Sequence, residues 1–299
     1  MKITVIGENY YQIEQFQKFF RWWVKNNDDK LLISFDCCPL SLFMILYHIK
    51  YDDKHYIKYL LAKYLPSYYQ TYQILKFFEK NLKKIRNGKI VLFSTYTLIT
   101  DIPEIIEEYE SIFKERNNMN NLDNIDLALL DICNMIYSFL KTYKLEGKDN
   151  WIIFNDYQRQ SSIIMSKLLQ NLARERFHLV IYTNFLNAYY QNLNINGINI
   201  NFKSLVSYWL DRFNMNIIYL IGKEGEYYDF ITEQENKISY KLKNFQYQNT
   251  HLQFLPKHQN ANIDYLILKK ISVADKIKID LTLTPKEEQP INPDITKYI

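Results

Sequence analysis

The stretch LLISFDCCPLSLFMILYHI, Leu31 to Ile49, decides how the fold is read. Leu31 to Phe35 is an apolar run broken only by Ser34, short enough for a strand covered on both faces. Asp36 closes it. Pro39 lacks an N–H and has its φ already set, so it suits the first turn of the helix that continues to Tyr51. Strand, short turn and helix make the layout of a phosphate-binding P-loop, but the chemistry is missing. A P-loop needs glycines so that backbone N–H groups can close around phosphate, and a lysine to meet its charge. Here the turn is Asp36-Cys37-Cys38-Pro39, with a carboxylate that repels phosphate. The three Gly-Lys pairs, at Gly88, Gly147 and Gly222, are followed by Ile, Asp and Glu, and none has the upstream Gly. The sequence excludes nucleotide hydrolysis by the P-loop route.

Outward from this stretch the same alternation continues. Ile3 to Ile6 is a strand ending at Gly7, and Tyr11 to Val24 has helical spacing, with Ile13, Phe16, Phe20 and Val24 on one face. Ile90 to Phe93, Trp151 to Phe154, Leu179 to Tyr182 and Ile217 to Ile221 read as further strands. Ile102 to Phe113, Leu127 to Tyr143 and Ile163 to Ala173 read as helices, and 187–201 as a loop. Tyr227 to Ile231 and Ile238 to Leu242 read as late antiparallel strands. The pattern predicts an α/β fold in three layers: a mostly parallel sheet, helices on both faces, and antiparallel strands at the C-terminal edge. It predicts one domain over 1–284 and a flexible Pro-, Glu- and Lys-containing tail over 285–299.

Composition narrows the function classes. Lys and Arg number 37 against 33 Asp and Glu, a net +4, which neither demands nor forbids nucleic acid. Tyr and Phe are abundant, as are Ile, Asn and Lys, which an AT-rich coding genome explains without a special aromatic role. Cys37, Cys38 and Cys133 are odd in number and have no CxxC spacing, so free thiols in a reducing intracellular compartment, nucleus or cytoplasm, are expected. The chain opens on a strand-like MKITVIG with no signal-peptide pattern. No run reaches 18 apolar residues, so no membrane span is expected.

Two further pieces follow the P-loop-like layout in order. WIIFNDY, Trp151 to Tyr157, is an apolar run leading to Asp156. The helix IIMSKLLQNLARERFH is followed by LVIYTNF, whose strand ends at Thr183-Asn184. Together with the later WLDRFNMNIIYLIGKEGEYYDF, this order resembles the RecA/Rad51-type ATPases, with WIIFNDY as the Walker B strand. Without Walker A it resembles their degenerate members, the Rad51-paralogue accessory proteins and the RecA-like Elongator subunits. The resemblance implies a non-catalytic subunit that binds other RecA-like chains in DNA recombination or repair, with Asp156 and Asn184 as a vestigial nucleotide site. No cofactor and no metal site are implied.

Other signals give alternatives. Arg159 and Arg174 flank the Walker B-like helix, and Lys241 and Lys243 alternate with Tyr240, Phe245 and Tyr247; basic and aromatic residues interleaved in this way can hold single-stranded DNA. A structural or scaffold subunit of a large assembly is a second reading. Asp229 with Glu235-Asn-Lys237 has the outline of a metal-dependent nuclease, a third. The carboxylates Glu104, Glu107, Glu108 and Glu110 read as a solvated helix face, and His48 and His55 as structural or surface histidines.

Overall fold

The computed structural model describes residues 2–8, 14–35, 38–51, 77, 80–94, 102–116, 119–172, 175–188, 193–195, 198–200, 203–210, 212–229, 234–239, 244–247, 250–253 and 259–271. The tail expected at 285–299 lies outside them, as do Asp36, Cys37 and His55. The chain divides into two compact units: Met1–Asp29 with His178–Lys276, and Lys30–Phe177 with Ile277–Ile299.

The first unit contains β1 (Ile3–Glu8), α1 (Glu14–Lys25), β4 (His178–Asn184), α6 (Phe185–Ala188), α7 (Leu205–Leu210), β7 (Met215–Asp229) and β11 (Ala261–Ile271). Its strands run β11-β7-β1-β4, each parallel to its neighbours. All six residues of β1 are buried, so the strand lacks the polar-out alternation of a half-exposed one. In parallel strands register partners face the same way, so Thr4, Ile6 and Glu8 share a face with His178 and Tyr182. Helix α1 covers that face: Phe20 lies 4.3 Å from the Tyr182 ring, and Trp23 meets His178 edge-on. On the opposite face Gly7 meets α6 and Tyr219. The expected parallel sheet with helices on both faces is present in this unit.

The expected antiparallel element is also present. β8 (Gln234–Ser239) pairs antiparallel with the far half of β7. The unexpected strand is β11, which pairs parallel with β7 from Ala261 to Ile271. Two small antiparallel hairpins complete the unit. One is β5 (Leu193–Ile195) with β6 (Ile198–Ile200), inside the stretch expected to be loop; the other is β9 (Asn244–Tyr247) with β10 (Thr250–Gln253).

The second unit holds β2 (Leu31–Phe35) and β3 (Ile90–Phe93), paired in parallel, and the helices α2 (Pro39–Tyr51), α3 (Ile102–Arg116), α4 (Asn124–Thr142) and α5 (Asn150–Asn171). Helix α2 is apolar all round because it is buried all round, from Pro39 to Leu46 and again at Ile49. Asp123 caps α4, accepting from the N–H groups of Ile125 and Asp126. Lys50, near the end of α2, pairs with both Asp123 and Asp126.

One correction decides the family question. Trp151 to Tyr157, read as a Walker B strand, is the first part of helix α5. The Asp149 side chain accepts from Ile152 N at 2.8 Å and starts the helix. Buried Ile153, Tyr157, Ser161, Ile164, Leu168 and Leu172 then recur at three- and four-residue spacing. A four-residue apolar run cannot distinguish strand from helix; the cap before it and the period after it can. No strand carries Asp156, so Trp151 cannot share a sheet with Leu31, as the RecA reading requires.

Among the described residues no helix is long and apolar enough to cross a membrane.

Candidate functional site

The chemistry-bearing group that stands out is Glu8, the last residue of β1. It is 1% exposed, and its neighbours along the strand are apolar except Thr4. Burying a carboxylate is expensive unless hydrogen bonds replace its water. Tyr182 supplies one: its hydroxyl donates to Glu8 Oε2 at 2.6 Å. Tyr182 is the register partner of Ile6, so it reaches Glu8 diagonally along the shared face. The Phe20 ring of α1 packs on Tyr182 and keeps its hydroxyl pointed along the strand end.

Gly7 shapes the other side of the same strand end. A Cβ there would lie 2.9 Å from the Ala188 Cβ and 3.4 Å from the Tyr219 ring. The missing side chain lets α6 close onto β1. Tyr219 donates to the Ala188 carbonyl at 2.7 Å, and buried Asn187 donates to Thr183 Oγ1 at 2.7 Å. The carboxyl ends of β1 and β4 and the neighbouring part of β7 therefore carry buried polar contacts on both faces of the sheet, Glu8 with Tyr182 on the α1 side and Tyr219, Thr183 and Asn187 on the α6 side. In parallel α/β folds the carboxyl ends of strands are where ligands bind.

A second polar cluster lies at the amino end of the same strands. His178 Nε2 lies 2.9 Å from Thr4 Oγ1, and His178 Nδ1 lies 3.1 Å from Asp29 Oδ2. Lys2 pairs with Asp29 at 3.0 Å. Burial pushes the imidazole below its ordinary range, partly opposed by the hydrogen bond and charge of Asp29. Asp29 is itself held low, first by its hydrogen bond from Lys2. The order Thr, His, Asp resembles a nucleophile triad; here the contacts run from Thr4 through His178 and Asp29 to Lys2 and close on one another as a clasp between β1, β4 and the residue before Lys30.

In the second unit Ser41 Oγ donates to Glu108 Oε1 at 2.8 Å. Burial raises Glu108 above the usual carboxylate value, and Ser41 partly offsets this. Glu104, Glu107 and Glu110 are exposed, as expected of a solvated face, but Glu108 is turned inward. Cys38 is pushed up to about 12, first by burial and then by Glu108, so its thiol stays protonated.

The sequence-predicted site residues are placed as follows. Asp156 lies on α5, where it accepts from the Tyr143 hydroxyl at 2.9 Å and pairs with Lys148 at 3.0 Å. Burial alone would raise it, but Lys148 and Tyr143 outweigh that and hold it low. Arg159 is exposed one turn further on. Asn184 ends β4 in register with Glu8. Asp156 and Asn184 thus belong to different units. Arg174, Lys241 and Lys243 lie outside the described residues. For the nuclease reading, Glu235 pairs with Tyr228, Lys237 with Glu226, and Asp229 with Gln234. Among the described residues no group of three or more His, Cys, Asp or Glu could hold a metal ion, so the nuclease reading is without support.

Glu8 was missed because Ile3 to Ile6 was closed at Gly7. The available signal was a Gly-Glu pair ending a strand of otherwise apolar character.

No family model matches the sequence, and no curated protein matches it. Among solved structures, a Bacillus cereus protein shares 10% identity over 92% of this chain and 90% of its own, with a TM-score of 0.53. A succinoglycan biosynthesis protein shares 12% identity over 91% and 88%, also with a TM-score of 0.53. An erythromycin esterase variant in its open conformation shares 8% identity over 79% and 75%, with a TM-score of 0.45. At these identities the first two likenesses show the fold. That fold is not the RecA/Rad51 one, so the RecA-like identity and the recombination or repair role built on it are overturned. The scaffold alternative has no support from these structures either.

Proposed function

We propose that the chain is a hydrolytic enzyme in which Glu8 is the general base that takes a proton from water. The observation that carries this is Glu8, 1% exposed at the carboxyl end of β1, with a tyrosine hydroxyl 2.6 Å away. A carboxylate held in one orientation at a strand end can accept the proton of a water molecule as that water adds to a carbonyl carbon. Tyr182 fixes which oxygen is engaged and limits rotation of the carboxylate. The sequence has no phosphate-binding or dinucleotide-binding glycine loop, which favours acid–base chemistry on water over phosphoryl or hydride transfer.

The test is turnover of p-nitrophenyl acetate and butyrate by the full chain and by Glu8→Gln, an isosteric change that removes the base. General-base catalysis of this kind contributes about 10²–10⁴-fold, and the variant is expected to lose an amount in that range while unfolding at nearly the same urea concentration. Equal turnover by the two proteins, or none by the unaltered chain across an ester panel, would sink the reading.

A further inference from the structure

A cleft of about 470 Å³ opens across the amino ends of β1, β7 and β11, at the end of the sheet away from Glu8. Its lining is rich in carboxamides: Asn214, Asn216, Gln259, Asn260 and Asn262, with Lys2 beside them. Asn216 and Asn262 are register partners on adjacent parallel strands, so their side chains leave the same face side by side. Both are exposed, although β7 is flanked by β1 on one side and β11 on the other. Asparagine is among the poorest strand formers, so two in register in a parallel pair run against local preference. Residues that break a local rule without a packing gain mark functional positions. Neither carboxamide bonds to another described residue.

We infer that this cleft binds a neutral, hydroxyl-rich ligand of mono- or disaccharide size. Each carboxamide offers a donor and an acceptor, and two of them roughly 4.8 Å apart can each serve a different hydroxyl of one sugar ring. The volume falls in the range of small-ligand sites. An anion is disfavoured because Lys2 is already paired with Asp29 at 3.0 Å. β7 itself offers no edge to a peptide strand, because its backbone groups are spent on β1 and β11. Asn260 is the anchor of the floor: its Nδ2 donates to the Leu210 carbonyl at 2.6 Å, while its carbonyl accepts from Met215 N at 3.0 Å.

The test follows the side-chain amide signals of Asn216 and Asn262 by NMR while maltose, and separately cellobiose, is added to the full chain. One of the two sugars is expected to shift both signals with saturation in the millimolar range. Asn216→Val with Asn262→Val, which keeps strand preference, is expected to weaken binding about tenfold, a loss of one or two net hydrogen bonds. The single Asn262→Val on terminal strand β11 serves if the pair does not fold. Signals unmoved by either sugar, or binding unchanged in the valine variants, would overturn the inference. Because the readout is binding at the amino end, it is independent of turnover at Glu8.

Discussion

The Tyr182 hydroxyl and the Glu8 carboxylate join β4 to β1 by a 2.6 Å hydrogen bond inside the protein. Tyr182→Phe removes this donor from the buried Glu8 side chain. A cost of about 1–3 kcal/mol is expected, because a lost bond to a charged group exposes its full desolvation penalty. Urea unfolding of the two proteins measures it. A change under a few tenths would mean that Glu8 is well satisfied without Tyr182.

Gly7 and Ala188 form a second pair whose coupling is measurable. Gly7→Ala puts a Cβ 2.9 Å from the Ala188 Cβ and should cost about 1–3 kcal/mol through overpacking. Ala188→Gly in the same chain removes the obstructing atom. The double variant should recover much of the loss, giving an interaction energy of opposite sign to the single penalty. Simple additivity would show that α6 moves aside freely.

The His178 clasp makes stability depend on pH in a defined direction. Its folded-state pKa lies below the ordinary 6.5, chiefly because the ring is buried, so below pH 6.5 the unfolded chain binds the extra proton. This contribution is fully present above the unfolded value and is lost as pH falls through the folded one. Asp29, with its ordinary value of 3.8, adds in the same direction only at more acid pH. Urea midpoints should fall between about pH 7.5 and pH 5, and His178→Gln should flatten that dependence. A midpoint that rises on acidification contradicts the assignment.

Asp156 ties the loop after α4 to α5 through Tyr143 and Lys148. It is partly exposed, so Asp156→Asn should cost less than about 1 kcal/mol. Ester turnover should be unchanged in the variant. A large loss of turnover with little change in stability would return Asp156 to the list of catalytic candidates.

Much of the first unit was legible because its strands are short apolar runs closed by polar residues. Ile3 to Ile6, Leu179 to Tyr182 and Ile217 to Ile221 all lie inside observed strands. Leu31 to Phe35 and Ile90 to Phe93 match their strands end to end. Failure came where four apolar residues stood alone. Trp151 to Phe154 has strand composition, and only the Asp149 cap and the buried positions beyond Tyr157 reveal a helix. β11 was missed because Asn262 and Asp264 interrupt its apolar character. The site was harder still. Glu8 is a single residue at a strand end, and its partner Tyr182 is brought to it only by the parallel register of β1 with β4.

That register has a consequence for how the protein is made. β1 leaves the ribosome well before its hydrogen-bonding partners β4 and β7. Residues up to Asn184 must be synthesised before one edge can be satisfied, and up to Leu220 before the other. At ordinary elongation rates that is a delay on the order of ten seconds. Lys30–Phe177, most of the second unit, is a single continuous stretch that can close during the wait. The nascent chain must meanwhile shield an apolar strand with two open edges, and this interval is when aggregation and chaperone capture compete with folding.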